Sequence, residues 1–376
     1  MAAREACPGA TGGRLRLAKR PPVCLPCGTM SRDGRSPEPW TALLKEVSRS
    51  FYLTLRVLPV EVRRPIGLAY LLARSTDTIA DASSIPVAVR RQALEALRDR
   101  ILDSAAPEPR LAVFEAEIPE VTAGERRLMV RLPEALEALD SAQVWEKDCI
   151  RSVLETISGG QILDLDRFGG VLPGQGVAAL PDAAALDDYT YRVAGCVGEF
   201  WTRVCRRRLF PGAALDDEAF LENGIRFGKG LQLINILRDM PKDLAAGRCY
   251  LPQDELARVG LRPSDLRDPV NEARLRPVYD LWMQRAETHL AAGWDYVRAI
   301  PHGQVRVRLA CAWPILIGLR TLRRLQEPGV LDPSHRIKVS RAEVRGLLWS
   351  TVWRLALPRL WDGLFEANRS APASRR

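Results

Sequence analysis

The stretch VEVRRPIGLAYLLARSTDTIAD, residues 60–81, decides how the chain is read. From Ile66 to Ala73 its apolar residues point in nearly every direction around a 3.6-residue period, which marks a helix buried on most sides. Pro65 is expected in the first turn, where a missing N–H costs nothing. The helix then runs into Asp77 and Asp81, four residues apart and therefore on one face, with Arg74 three residues before Asp77. Burying two like charges is costly unless cations neutralise them. Taken alone, DxxxD also describes a solvated, salt-bridged helix face.

A second stretch, GKGLQLINILRDMPKDLAAGRCYLP (228–252), repeats the arrangement. An apolar helix again ends in carboxylates: Asn235, Asp239 and Asp243 follow at steps of four, with Gln232 a turn earlier and Arg238 alongside. Pro241 falls between the two aspartates, so the helix is expected to bend or end there, leaving Asp243 less securely on the face. Two such helices facing each other across a central cavity make an oxygen-rich site. It suits Mg²⁺, which binds through a few carboxylates together with substrate phosphates and water. Arg74, Arg238 and Arg248 then stand ready for diphosphate oxygens. A third stretch, DDYTYRVAGCVGEFW (187–201), puts Ala194, Gly195 and Gly198 on a helical pattern in which glycine costs stability. Two readings stand: close helix packing, or room for a bulky apolar ligand beside Tyr189.

The rest of the chain is helical in pattern. Segments at 40–59 and 86–102 precede further helices expected at 121–139, 141–168, 183–208, 214–240, 272–299, 302–326 and 340–367. No strand-type alternation persists, no glycine-rich strand-to-helix turn occurs, and no repeat is found. The breaks at 104–110, 169–182 and 327–335 are too short for domain linkers. The expectation is one all-α domain over residues 39–368, with disordered tails at 1–38 and 369–376 and Met30 as an alternative start.

Hydrophobic residues at 47% supply a sizeable core, and a net charge of +9 suits nucleic acid, anionic lipid or a phosphorylated substrate. An aromatic content of 6%, without RNA-binding aromatic motifs or zinc-finger spacing, argues against nucleic acid. Eight scattered cysteines, among them Cys149, Cys196, Cys205 and Cys311 in helical patterns, read as reduced intracellular packing residues. The Cys24–Cys27 pair lacks the second pair or histidine cluster of a metal site. The final pattern, VRGLLWSTVWRLALPRLWDGLFE (344–366), carries three tryptophans but is interrupted by Arg345, Arg354, Arg359 and Asp362. It is a poor spanning helix, and reads either as core or as a face touching the membrane surface.

Together these stretches resemble the squalene/phytoene synthase family of head-to-head isoprenyl diphosphate synthases. DTIAD (77–81) looks like its first aspartate motif and YTYRVAGCVG (189–198) like its central one. NILRDMPKD (235–243), followed by GRCYLP, looks like the second aspartate motif. SRSFYLTLRVLP (48–59) resembles the N-terminal segment, and the order holds across about residues 40–330. The resemblance implies an isoprenoid synthase fold around a central cavity and a prenyl diphosphate substrate. It implies that Asp77, Asp81, Asp239 and Asp243, assisted by Asn235, hold Mg²⁺ or Mn²⁺. Ser48, Arg49, Arg74, Arg238 and Arg248 would contact phosphate, and Tyr189 would handle a proton or a carbocation. Phe51, Val193, Gly198 and Gln232 would line the prenyl channels.

Within the family, ARSTDTIAD leans towards squalene synthases, which use NADPH. SHRIKVSRAEV (334–344) sits near their basic nicotinamide segment, making Lys338 and Arg341 candidates for the cofactor phosphate. A solvated loop explains the same residues, and phytoene or dehydrosqualene synthesis would need no reductant. No clean apolar C-terminal anchor is present, so a bacterial-type cytoplasmic enzyme is expected, peripheral at most to the membrane. The reading from another class is a non-catalytic assembly factor, against which stand the four retained aspartates with Arg74 and Arg248.

Overall fold

The computed structural model describes residues 41–48, 51–171, 174–355 and 357–369. The expected tails 1–38 and 370–376, the Cys24–Cys27 pair, Met30 and Arg49 lie outside the described residues. From Ala42 onward the chain forms one compact unit, and it is all-α apart from one pair of short strands.

After α1 (Thr41–Val47) and α2 (Phe51–Val57), α3 (Val60–Asp81) is buried nearly all round, as its composition requires. It starts directly after Pro59, so Pro65 falls in the second turn and not the first. Its buried hydroxyls are satisfied locally: Ser75 donates to the Leu71 carbonyl, Thr76 to Ala73 and Thr78 to Arg74. The end of α3 is closed by Arg90 from α4 (Val87–Leu102), which donates to the carbonyls of Ala80 at 2.7 Å and Ile85 at 3.0 Å.

The single helix expected over 121–139 is two. After α5 (Ala112–Glu115), α6 (Ala123–Val130) opens on a Thr122–Glu125 capping box, and Pro133 starts a fresh helix in α7 (Leu132–Asp140). Next comes α8 (Val144–Phe168). The expected helix 183–208 is also interrupted: α9 (Ala183–Thr190) passes through a π turn at Tyr191–Gly195 into α10 (Cys196–Leu209). Such wide turns often mark functional sites.

α11 (Asp217–Ala245) overrides the expectation of a break at Pro241. A proline at 241 leaves the Leu237 carbonyl without its helical donor. The Tyr279 hydroxyl, from α13 (Glu272–Ala299), donates to that carbonyl at 3.0 Å in a fully buried position. The orphaned acceptor is thereby satisfied and the helix continues one more turn, keeping Asp243 in line with Asp239. It then ends on Ala246 and Gly247, whose φ of +81° is the left-handed conformation that glycine tolerates.

That turn delivers β2 (Arg248–Pro252), which pairs in parallel with β1 (Ala178–Leu180), Ala178 opposite Arg248 and Ala179 opposite Cys249. Neither strand is long enough to show alternation, and β2 is buried at almost every position, so periodicity could not announce them. The chain continues through α12 (Gln253–Arg258), α13 and α14 (Val305–Leu325). The expected C-terminal helix 340–367 is broken into α15 (Arg341–Arg354) and α16 (Pro358–Asn368), with Pro358 opening the second.

α11 packs along α13, α10 and the π turn, while α3 packs on α8 and α10. The two aspartate-bearing helices therefore lean on shared supports. The α10–α11 contact is backbone against backbone: a Cβ on Gly198 would lie 2.0 Å from the Gly224 carbonyl oxygen. Of the two readings of the 187–201 glycines, close packing accounts for Gly198.

Tyr279→Phe should cost about 1–3 kcal/mol, the price of an unsatisfied buried carbonyl, read as a lower urea midpoint at unchanged slope. A variant as stable as the parent would show that Leu237 does not depend on this hydroxyl.

Candidate active site

The first carboxylate pair sits where α3 leaves the core. Arg74 donates to the Tyr70 hydroxyl at 3.1 Å and lies 3.7 Å from Asp77 and 4.0 Å from Glu125. Tyr70 in turn donates to the Val47 carbonyl, tying α1 to α3. On its other oxygen, Asp77 accepts from Gln161 of α8 at 2.6 Å. Asp77 has protein on most sides although 44% of its side chain still meets solvent, as expected of a recess wall. Burial, reinforced by the neighbouring Asp81 charge, lifts its pKa to about 6 against the opposing pull of Arg74 and Gln161.

The second pair lies on the half-buried face of α11 with Gln232 and Asn235, which hydrogen-bond to each other at 3.3 Å. Arg238 grips Asp239 through two bonds, 2.8 and 2.6 Å. Asp243 has its pKa raised to about 7, first by burial and then by the charges of Asp239 and Asp164, with Arg248 and Lys242 opposing.

Arg248 joins the two halves. Burial works against its charge, but Tyr250, Asp164 and Asp81 together more than compensate, so its pKa is raised. It also lies within electrostatic reach of Asp243 and Arg90. A guanidinium that feels Asp81 of the first motif and Asp243 of the second puts both at one recess. A small cavity lined by Asp243, Arg248, Tyr250, Ile236 and Met240 lies at its second-motif side.

Tyr189 is buried and stacks on Tyr250, ring centroids 4.7 Å apart. The Tyr250 hydroxyl donates to Asp164 at 2.8 Å. Burial pushes both phenols upward, and lifts Asp164 to about 6 despite the Tyr250 bond and the charges of Arg248 and Arg167. One oxygen of Asp164, one of Gln161 and the Arg74 Nε are buried without a hydrogen-bond partner.

Gln161, Asp164 and Tyr250 were not singled out from the sequence. The signal for two of them was present in QILDLD (161–166), where polar residues interrupt a largely buried helix just as they do in α3. Other expected residues are elsewhere. Ser48 is 2% exposed and its hydroxyl donates to the Leu44 carbonyl, which suits support of phosphate contacts better than direct contact. Val193 lies on the π turn against Gly160. Arg49 and the Phe51 side chain are outside the described residues. Lys338 and Arg341 are exposed, on and just after the segment preceding α15, and make no contact with the site among the described residues.

No group of three or more His, Cys, Asp or Glu side chains among the described residues is arranged to hold a metal ion by itself. The donors still fit a hard divalent cation. They are oxygens in two pairs, and Asp77 and Asp243 hold protons more tightly than usual because burial disfavours their charge and a neighbouring aspartate adds to the effect. Mg²⁺ commonly takes one or two carboxylates and completes its shell with phosphate and water.

Raised carboxyl pKa values make the folded state bind protons that the unfolded chain has released, so this contribution turns unfavourable as pH rises. For Asp243 the window runs from its ordinary value of 3.8 to about 7. Without divalent metal, the melting temperature of Asp243→Asn relative to the parent should rise across that window and level off above it. A difference independent of pH would contradict the raised Asp243 pKa.

A family model described as squalene/phytoene synthase matches residues 44–343. The presqualene diphosphate synthase of Zymomonas mobilis subsp. mobilis is 30% identical over 81% of this chain and 88% of its own length. The 15-cis-phytoene synthase of Paracoccus sp. is 27% identical over 85% and 92%. A solved TcSQS structure with the ligand BPH1237 superposes with a TM-score of 0.69 at 21% identity, covering 89% of this chain and 92% of that one, which speaks for the fold. With its helices, motif order and family match in agreement, the chain belongs to the squalene/phytoene synthase family, enzymes that join prenyl diphosphates head to head.

Proposed function

We propose that the chain condenses two molecules of farnesyl diphosphate and ends at the cyclopropyl product, presqualene diphosphate. The observation that carries this reading is that Arg248 lies within electrostatic reach of both Asp81 and Asp243, a carboxylate excess that divalent cations would offset when a diphosphate binds. Asp77, Asp81, Asp239 and Asp243, with Asn235, would hold Mg²⁺ or Mn²⁺, which when bound offsets the charge developing on the departing diphosphate. Arg74, Arg238 and Arg248 hold diphosphate oxygens, Arg238 by releasing Asp239.

The allylic C–O bond breaks with both electrons leaving on diphosphate. The double bond of the second molecule attacks the resulting cation, and loss of one proton closes the cyclopropane ring. The cation is protected from water by apolar walls. Tyr250 takes the proton while passing its own to Asp164, whose pKa of about 6 suits an acceptor near neutral pH, and Tyr189, stacked on Tyr250, offers its ring to the cation.

The NADPH-dependent reduction to squalene expected from the sequence rests on the likeness of ARSTDTIAD to squalene synthases and on Lys338 and Arg341, which make no contact with the site among the described residues. Relatives named presqualene diphosphate synthase favour a reaction that stops before it. The phytoene synthase relative supports a second reading, in which the longer geranylgeranyl diphosphate is used.

Purified protein given farnesyl diphosphate and Mg²⁺ should yield presqualene diphosphate with or without NADPH. Squalene formed only with NADPH would restore the reductive reading, a preference for geranylgeranyl diphosphate would favour the second, and no turnover on either would favour the assembly factor. Asp77→Ala and Asp239→Ala should each lose roughly 100-fold or more in turnover while remaining folded. Near-normal turnover in either would overturn the metal–diphosphate assignment.

A further inference from the structure

The core does not use all the aromatic residues at the C-terminal end. α16 sends Trp361, Leu364 and Phe365 inward, Trp361 stacking on Trp294 at 5.6 Å. α15 buries Leu347 and Thr351 and turns its other side out. Trp349 there is 76% exposed, Val352 50% and Trp353 52%. Their i, i+3, i+4 spacing makes one stripe, and Leu357 and Leu360, also exposed, extend the apolar surface into α16. Clustered exposure of this kind marks an interaction surface.

Charge identifies the occupant. Arg345 precedes Trp349 by one turn on the same stripe, and Arg359 adjoins Leu360. With Arg341 they are exposed and form no ion pair among the described residues. The neighbouring acids are already taken: Glu343 by Arg324 at 2.7 Å, Asp362 by Arg298 at 3.5 Å and Glu366 by Arg369 at 3.6 Å. An apolar aromatic stripe rimmed by uncompensated cations matches the headgroup region of an anionic bilayer, where tryptophan rings settle and arginines meet lipid phosphate. A two-fold contact with a second copy would bring these same arginines together. No helix among the described residues is long and apolar enough to cross a membrane, so the contact is with its surface.

We propose that the outward face of α15 and the start of α16 dock the protein on anionic membranes. This is independent of which prenyl diphosphate is used. The test is flotation of the full chain with phosphatidylcholine vesicles, with and without phosphatidylglycerol. The parent should float with the anionic vesicles, and Trp349→Ser/Trp353→Ser should float roughly tenfold less or worse, since it loses most of the buried apolar area. Arg345→Glu/Arg359→Glu should abolish the preference for anionic lipid. Both variants should keep the parent's circular dichroism and melting temperature because the changed side chains are exposed. Failure of the parent to float, or equal flotation of the tryptophan variant, would overturn the proposal. So would light scattering that showed a dimer dispersed by the tryptophan changes, which would give the face to a second copy.

Discussion

The site depends on one shared cation. Asp81 on α3, Asp164 on α8 and Asp243 on α11 all lie within electrostatic reach of Arg248, which is half-buried like Asp164 and Asp243, while Asp81 is exposed. Burial, with repulsion from neighbouring carboxylates, raises the pKa values of Asp77, Asp164 and Asp243, and the nearby arginines offset this only in part. A recess short of positive charge yet lined with arginines accepts a cation and a polyanion together better than either alone.

Much of the local architecture serves to hold Arg248 in place. Gly247 turns the chain out of α11, the β1–β2 pairing fixes the strand that begins at Arg248, and Tyr250 anchors that strand to α8 through Asp164. On the other side, Tyr279 keeps α11 helical past Pro241, so that Asp243 arrives in line with Asp239. Fold and site are coupled through these few buried hydrogen bonds. The bidentate Arg238–Asp239 pair closes the second-motif side of the recess, and under the proposed function substrate opens it.

The helical class was legible because α3, α11 and α13 carry unbroken 3.6-residue patterns, and both aspartate pairs were legible because i, i+4 spacing survives in any helix. What escaped depends on partners distant in sequence. Pro241 reads as a helix breaker until Tyr279, far along the chain, supplies the missing donor. Asp164 and Gln161 gain meaning only when α8 packs on α3. Gly198 faces Gly224 because of how α10 meets α11, which no local pattern encodes. The strands were too short for any period, and the last helix hid a proline that separates a buried tryptophan from two exposed ones.

The most direct test is a crystal structure with a non-ionising prenyl thiodiphosphate and Mn²⁺, located by its anomalous scattering. The account predicts cations at the Asp77–Asp81 and Asp239–Asp243 pairs, with diphosphate between them and Arg248 on its oxygens. Diphosphate bound away from Arg248, or metal found at neither pair, would contradict it.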